Sequence, residues 1–121
     1  MKATGIGFIG AGGIARAHVY ALQAIQYYYQ DALPLRWVSV NSSRPESRES
    51  FAASYGFEKA ETLDDFVQNT DIDAVFILGP NSVHYTHLMQ ALSMPQVKGI
   101  YLEKPVCASK KEEEALHQVL K

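Results

Sequence analysis

The run Gly10-Ala11-Gly12-Gly13-Ile14-Ala15 constrains this chain more than any other feature. It fits G-x-G-x-x-A, and it stands where that pattern has a physical reason, after the apolar stretch 4–9 and at the opening of a long amphipathic one. A strand turning sharply into a helix needs a residue without Cβ at Gly10 and bare backbone at Gly12 for a charged group to approach. A small Ala15 lets helix and strand lie close. The first amides of the helix and its dipole then face an anion, and a pyrophosphate is the anion this pattern accommodates. Gly13 and Ile14 share the turn and join Gly10, Gly12 and Ala15 as candidate cofactor contacts.

The remaining chain repeats the same grammar. Strand-length apolar runs at 35–40, 57–60, 73–78 and 98–102 alternate with helical patterns, one after the Gly10–Gly13 turn with Ile14 its first apolar position and others at 46–55, 63–69, 82–93 and 109–121. Thr62 with Asp65, and Ser109 with Glu112, read as capping pairs. In the first helix Ile14, Ala17, Ala21, Leu22, Ile25 and Tyr28 read as the buried stripe. Such alternation predicts an α/β fold, a three-layer Rossmann doubly wound parallel sheet of order 3-2-1-4-5. With 121 residues, 47% of them hydrophobic and 20% charged, residues 1–121 make one domain.

Composition removes several partners. A net charge of −2 offers no basic face for a phosphodiester backbone, so nucleic acid is excluded. Cys107 is the sole cysteine, which forbids an internal disulfide and fits a reducing, cytoplasmic setting. Its neighbours include no histidine dyad, so it reads as a small packed hydrophobe rather than a nucleophile. The glycine-dense start is a poor secretory signal, and no apolar run is long enough for a membrane span.

Three further segments fall at strand ends, the rim where open parallel sheets bind ligands. After the second strand, where an acid often bonds the adenosine ribose, the chain has Asn41-Ser42-Ser43-Arg44 with Arg48 one turn on. Hydroxyls and guanidinium suit a 2′-phosphate better than a bare ribose, which favours NADP over NAD. The fourth strand leads into Gly79-Pro80-Asn81 and His84, the fifth into Glu103-Lys104-Pro105.

In these motifs the chain resembles the N-terminal half of the Gfo/Idh/MocA oxidoreductases, over essentially all its residues. The resemblance implies that Gly10 to Ala15 hold the pyrophosphate, Ser42, Ser43 and Arg44 the adenosine ribose, and Gly79, Pro80, Asn81 and His84 the nicotinamide side. Glu103 and Lys104 would adjoin the nicotinamide ribose, with Lys104 as the catalytic residue that orients the reacting hydroxyl. Two places depart from the family pattern: Gly79, where threonine is common, and Pro95-Gln96-Val97-Lys98-Gly99, where a compact glycine-lysine-histidine turn is usual. The implied activity is hydride transfer between NAD or NADP and a sugar-, cyclitol- or related alcohol or aldehyde substrate. Family members continue into a second domain that carries the substrate pocket, the acid/base and the oligomer contacts. The expectation is therefore a cofactor-binding fragment, inactive alone and truncated before a sixth strand. The rival expectation is a stand-alone nucleotide-sensing or interaction module. An uncovered fifth strand could also pair with a second copy, making a homo-oligomer.

Other features have blander explanations. His84 and His87 lie three apart, but no carboxylate or cysteine beside them completes a metal site. Tyr27-Tyr28-Tyr29 read as packing over neighbouring loops at a helix end. Six acids between Glu58 and Asp73 read as a solvated outer face.

Overall fold

The computed structural model describes residues 3–29, 31, 33–102 and 109–120. In chain order it contains β1 (Thr4–Ile9), α1 (Gly13–Tyr28), β2 (Leu35–Asn41), α2 (Pro45–Tyr55), β3 (Lys59–Glu61), α3 (Leu63–Val67) and β4 (Ala74–Ile77). A 3-10 turn (Asn81–Val83), α4 (His84–Leu92), β5 (Gly99–Leu102) and α5 (Lys110–Leu120) follow. The five strands form one sheet of order β3-β2-β1-β4-β5 in which every ladder is parallel. That is the doubly wound topology the alternation predicts.

Side-chain alternation along β1 divides the core into two layers. Ile6 and Phe8 pack with Ala15, Val19, Phe51, Ala52 and Phe57 beneath α1 and α2. Ile9 joins Phe66, Ile72, Val75, Ile77, Leu88, Ala91 and Leu116 beneath α3, α4 and α5. Phe8 is fully buried, with the rings of Phe57 and Phe76 at 5.2 and 5.3 Å and those of Trp37 and Phe51 at 6.2 and 6.3 Å. Where β1 pairs with β2 the register shifts between Ile6 and Gly7, so Val38 is the extra residue of a bulge.

The local start and stop signals hold where side-chain chemistry is specific. Thr62 Oγ1 accepts the Asp65 amide at the start of α3, and Ser109 Oγ accepts the Glu112 amide before α5. Gly56, at φ +81°, closes α2 in the left-handed conformation.

Several boundaries and one helix face differ from expectation. The segment 57–60 is not itself the strand: Phe57 turns into the core, and β3 begins at Lys59. The stretch 82–93 divides into the 3-10 turn and α4. In α1 the buried residues are Ala15 and Val19, with His18 and Leu22 half-buried. Ile14, Ala17, Ala21, Ile25 and Tyr28 face outward, so the true stripe is rotated by about one residue, ~100°. Ala15 and Val19 pack with Ile6 and Phe8, so bulk alone does not identify the buried face. Tyr27 and Tyr28 do not pack over neighbouring loops: they are 80% and 74% exposed, and Tyr27 packs edge-on against Tyr28. The acids of 58–73 are more engaged than a solvated face implies. Arg36 binds Glu58 at 2.6 Å and Asp71 at 3.5 Å, and Asp73 accepts the Gly5 amide.

Candidate cofactor crevice

The carboxyl ends of β1, β2 and β4 share one rim, and a crevice of about 840 Å³ opens there. Its floor is the glycine turn. Gly10 has φ +122°, and a Cβ on it would lie 2.6 Å from the Leu78 carbonyl carbon and 2.8 Å from the Gly79 nitrogen. Only glycine fits that backbone, because left-handed geometry and close approach coincide there. The Gly10 amide is tied back to the Asn41 carbonyl at 2.7 Å, and the Leu78 amide to the Ile9 carbonyl at 2.8 Å. Three strand ends are thus cross-linked directly beneath the crevice.

Beyond the turn the chain opens out. A Cβ on Gly12 or Gly13 would meet nothing within 4 Å. Gly12 is the N-cap of α1, no side chain caps its amides, and the first turn contains no acid. The donors of α1 therefore face the crevice with the positive end of the helix dipole behind them. Ile14 also lines the crevice, whereas Ala15 is fully buried against the sheet, the packing role its size predicts.

Ser42, Ser43 and Arg44 line the β2 end, together with Ser47 and Arg48. Ser42 Oγ donates to the Arg44 carbonyl at 3.0 Å, and Arg48 Nη1 donates to the Ser42 carbonyl at 3.0 Å, which fixes the loop from the first turns of α2. Arg44 reaches Ser47 Oγ at 3.4 Å and Glu46 at 3.5 Å, both contacts exposed and weak. No carboxylate is among the described residues that line the crevice.

At the β4 end, Leu78, Gly79, Pro80, Val83 and His87 form the wall. Asn81 lies in the 3-10 turn next to them. His84 does not line the crevice; it is 1% exposed, with Nε2 2.8 Å from the Gly79 carbonyl. His84 thus holds the backbone of the loop from behind. His87 is half-buried, and burial, with the neighbouring His84 second, pushes its imidazole below the ordinary histidine value.

Glu103, Lys104, Pro105 and Cys107 lie outside the described residues. β5 reaches the same rim at Leu102, opposite Ile77 of β4.

Thr62, Leu63 and His87 line the crevice although no cofactor motif marks them, and Arg48, the second guanidinium near the adenosine end, lines it too. Their signals are positional. Arg48 follows Arg44, and His87 follows Val83, by four residues, one helical turn. Thr62 and Leu63 follow β3, whose end lies beside that of β2. Among the described residues no three His, Cys, Asp or Glu gather to hold a metal, and no helix is long and apolar enough to cross a membrane.

Residues 4–121 match the family model described as "Oxidoreductase family, NAD-binding Rossmann fold". The chain is 34% identical over 107 residues to the glucose-6-phosphate 3-dehydrogenase of Bacillus subtilis, covering 88% of this chain and 27% of that protein. It is 30% identical over 125 residues to the levoglucosan dehydrogenase of Pseudarthrobacter phenanthrenivorans, covering 100% of this chain and 31% of that protein. A solved levoglucosan dehydrogenase in complex with NADH superposes with a TM-score of 0.83 at 27% identity, over 97% of this chain and 32% of the other. The chain thus spans less than a third of the length of these curated relatives.

Proposed function

The chain belongs to the oxidoreductase family with the NAD-binding Rossmann fold, and on that footing we propose that its crevice binds a nicotinamide dinucleotide for hydride transfer to or from a sugar-like alcohol or aldehyde. The observation that carries the reading is the uncapped N-terminus of α1 facing 840 Å³ of space across glycines whose missing side chains leave it open. When bound, the nicotinamide supplies the carbon that accepts or releases hydride.

The chain's own residues bind and orient. Gly10, Gly12, Gly13 and Ile14 cradle the pyrophosphate against the α1 amides. Ser42, Ser43 and Arg44 receive the adenosine ribose. Arg44 and Arg48, with no carboxylate among the described lining residues, favour NADP, since a guanidinium pairs with a 2′-phosphate that an acid would repel. Gly79, Pro80 and Asn81 take the nicotinamide half, with His84 fixing their loop. Glu103 and Lys104 adjoin the nicotinamide ribose, and the Lys104 ammonium steadies alkoxide charge as the substrate hydroxyl loses its proton. The sugar class of substrate is supported by the relatives' names, a glucose-6-phosphate and a levoglucosan dehydrogenase, and the cyclitol alternative by the family resemblance alone. Residues 1–121 are assigned the cofactor-binding step, in a reducing, cytoplasmic setting that the single Cys107 suits.

Calorimetric titration with NADP+, NAD+ and S-adenosylmethionine tests the reading. Saturable binding of a dinucleotide is expected, and Arg44→Ala is expected to weaken NADP+ about tenfold and NAD+ less than about twofold. Failure of both dinucleotides to bind at millimolar concentration would sink the oxidoreductase reading, and binding of the methyl donor alone would favour a nucleotide-sensing module.

A further inference from the structure

We propose that His87 is a cofactor-contacting residue, whose imidazole supplies from α4 the polar wall that residue 79, a glycine, leaves out at the β4 end of the crevice. The proposal rests on the dinucleotide reading above and deepens it.

His87 lines the crevice one helical turn after Val83, and both side chains converge on Gly79. A Cβ on residue 79 would lie 3.2 Å from His87 Cε1, 3.4 Å from Nδ1 and 3.5 Å from Val83 Cγ2. The ring thus crowds the space a side chain at 79 would claim. The glycine and the histidine are complementary in volume, although eight residues separate them.

The two histidines of this helix have divided roles. His84 is buried with Nε2 on the Gly79 carbonyl at 2.8 Å, so that nitrogen is committed to the loop. His87 Nδ1 is buried and has no hydrogen-bond partner among the described residues. A buried N–H without an acceptor is costly, whereas an unprotonated ring nitrogen leaves no donor stranded. The proposal accordingly puts the proton of the neutral ring on Nε2, as the donor offered to a ligand in the crevice that His87 lines.

Oxidised nicotinamide is cationic, and an imidazolium beside it would repel it. Burial, with His84 second, holds His87 toward the neutral form. A neutral donor can serve an oxygen of the nicotinamide ribose or of the carboxamide in either redox state.

The test titrates the protein and its His87→Leu variant with NAD+, ADP-ribose and ADP, beside the ¹⁵N-resolved imidazole resonances of the unaltered protein. The variant is expected to weaken NAD+ about tenfold, the equivalent of one hydrogen bond, and ADP less than about twofold. Equal weakening of ADP-ribose would place the accepting oxygen on the ribose, and an unaffected ADP-ribose would place it on the carboxamide. His87 ring resonances are expected to shift with NAD+ and to stay in place with ADP. This readout needs no substitution, so an unstable variant does not spare the proposal. Unchanged NAD+ affinity in a folded variant, or ring resonances indifferent to NAD+, would overturn it. If the unaltered protein binds neither NAD+ nor NADP+, the dinucleotide reading falls with it, an outcome separable from a variant that binds normally.

Discussion

Gly10 and Gly12 sit two residues apart in one turn, yet the structure assigns them different costs on substitution. At Gly10, φ +122° is a conformation that L-residues rarely adopt, and an alanine Cβ would sit 2.6 Å from a backbone carbon and 2.8 Å from a backbone nitrogen. Backbone strain of this kind costs about 1–3 kcal/mol, and the overlap with Leu78 and Gly79 adds to it because main chain must move, so ~3 kcal/mol is a fair central value. Unfolding entropy of about 2.1 cal/mol/K per residue over 121 residues is ~0.25 kcal/mol/K, which makes the expected fall in Tm about 12 °C. At Gly12, φ is −95° and a Cβ meets nothing within 4 Å. Alanine there should change stability by less than ~1 kcal/mol, the poorer N-cap offsetting the reduced freedom of the unfolded chain, while placing a methyl where the pyrophosphate must approach. Scanning calorimetry and dinucleotide titration on both variants separate the effects: Gly10→Ala should lose stability, and Gly12→Ala should lose affinity at nearly full stability. A Gly10→Ala protein melting within about 2 °C of the parent would refute the strain argument.

Two other perturbations follow from the packing and from one titration. Phe8→Ala empties the middle of a five-ring cluster and should cost about 3–5 kcal/mol in denaturant unfolding; a cost below ~1 kcal/mol would mean that the cluster collapses around the void. His87, lowered from 6.5 by burial and by His84, binds its proton less readily folded than unfolded. Stability should therefore rise with pH through the interval just below 6.5 and be lost on acidification. The same pH series on His87→Gln should show a flatter slope, and an identical slope would assign the effect elsewhere.

How much of this architecture was legible in the sequence depended on what kind of signal each element gave. β1 was readable to the residue because its boundaries are chemical, with Thr4 after the unpatterned start and a positive-φ glycine at the end. The caps at Thr62, Ser109 and Gly56 were readable for the same reason. The face of α1 was not: Ile14, Ala17, Ala21 and Ile25 form a plausible stripe on the outside of the helix, and Ala15 and Val19 form the real one. Hydrophobicity fixes helical phase only when the outward side is polar, and here it is not.

The same distinction explains which parts of the crevice could be anticipated. In a doubly wound sheet every parallel strand ends on one rim, so residues following strand ends, namely Gly10 to Gly13, Ser42 to Arg44 and Gly79 to Asn81, are placed by topology before any side chain is considered. Residues one helical turn further on, Arg48 and His87, reach the rim only if the helix enters in the right phase, and that phase was the least readable quantity in the chain. His84 shows the converse. Its motif marks it as part of the cofactor segment, and the structure buries it behind the rim, bonded to the Gly79 carbonyl. A motif histidine can thus serve a binding site by fixing the loop that makes contact, while an unmarked histidine one turn away faces the ligand space. Substituting His84 should accordingly disturb the position of Gly79 and Pro80, whereas substituting His87 should remove a contact and leave the loop in place.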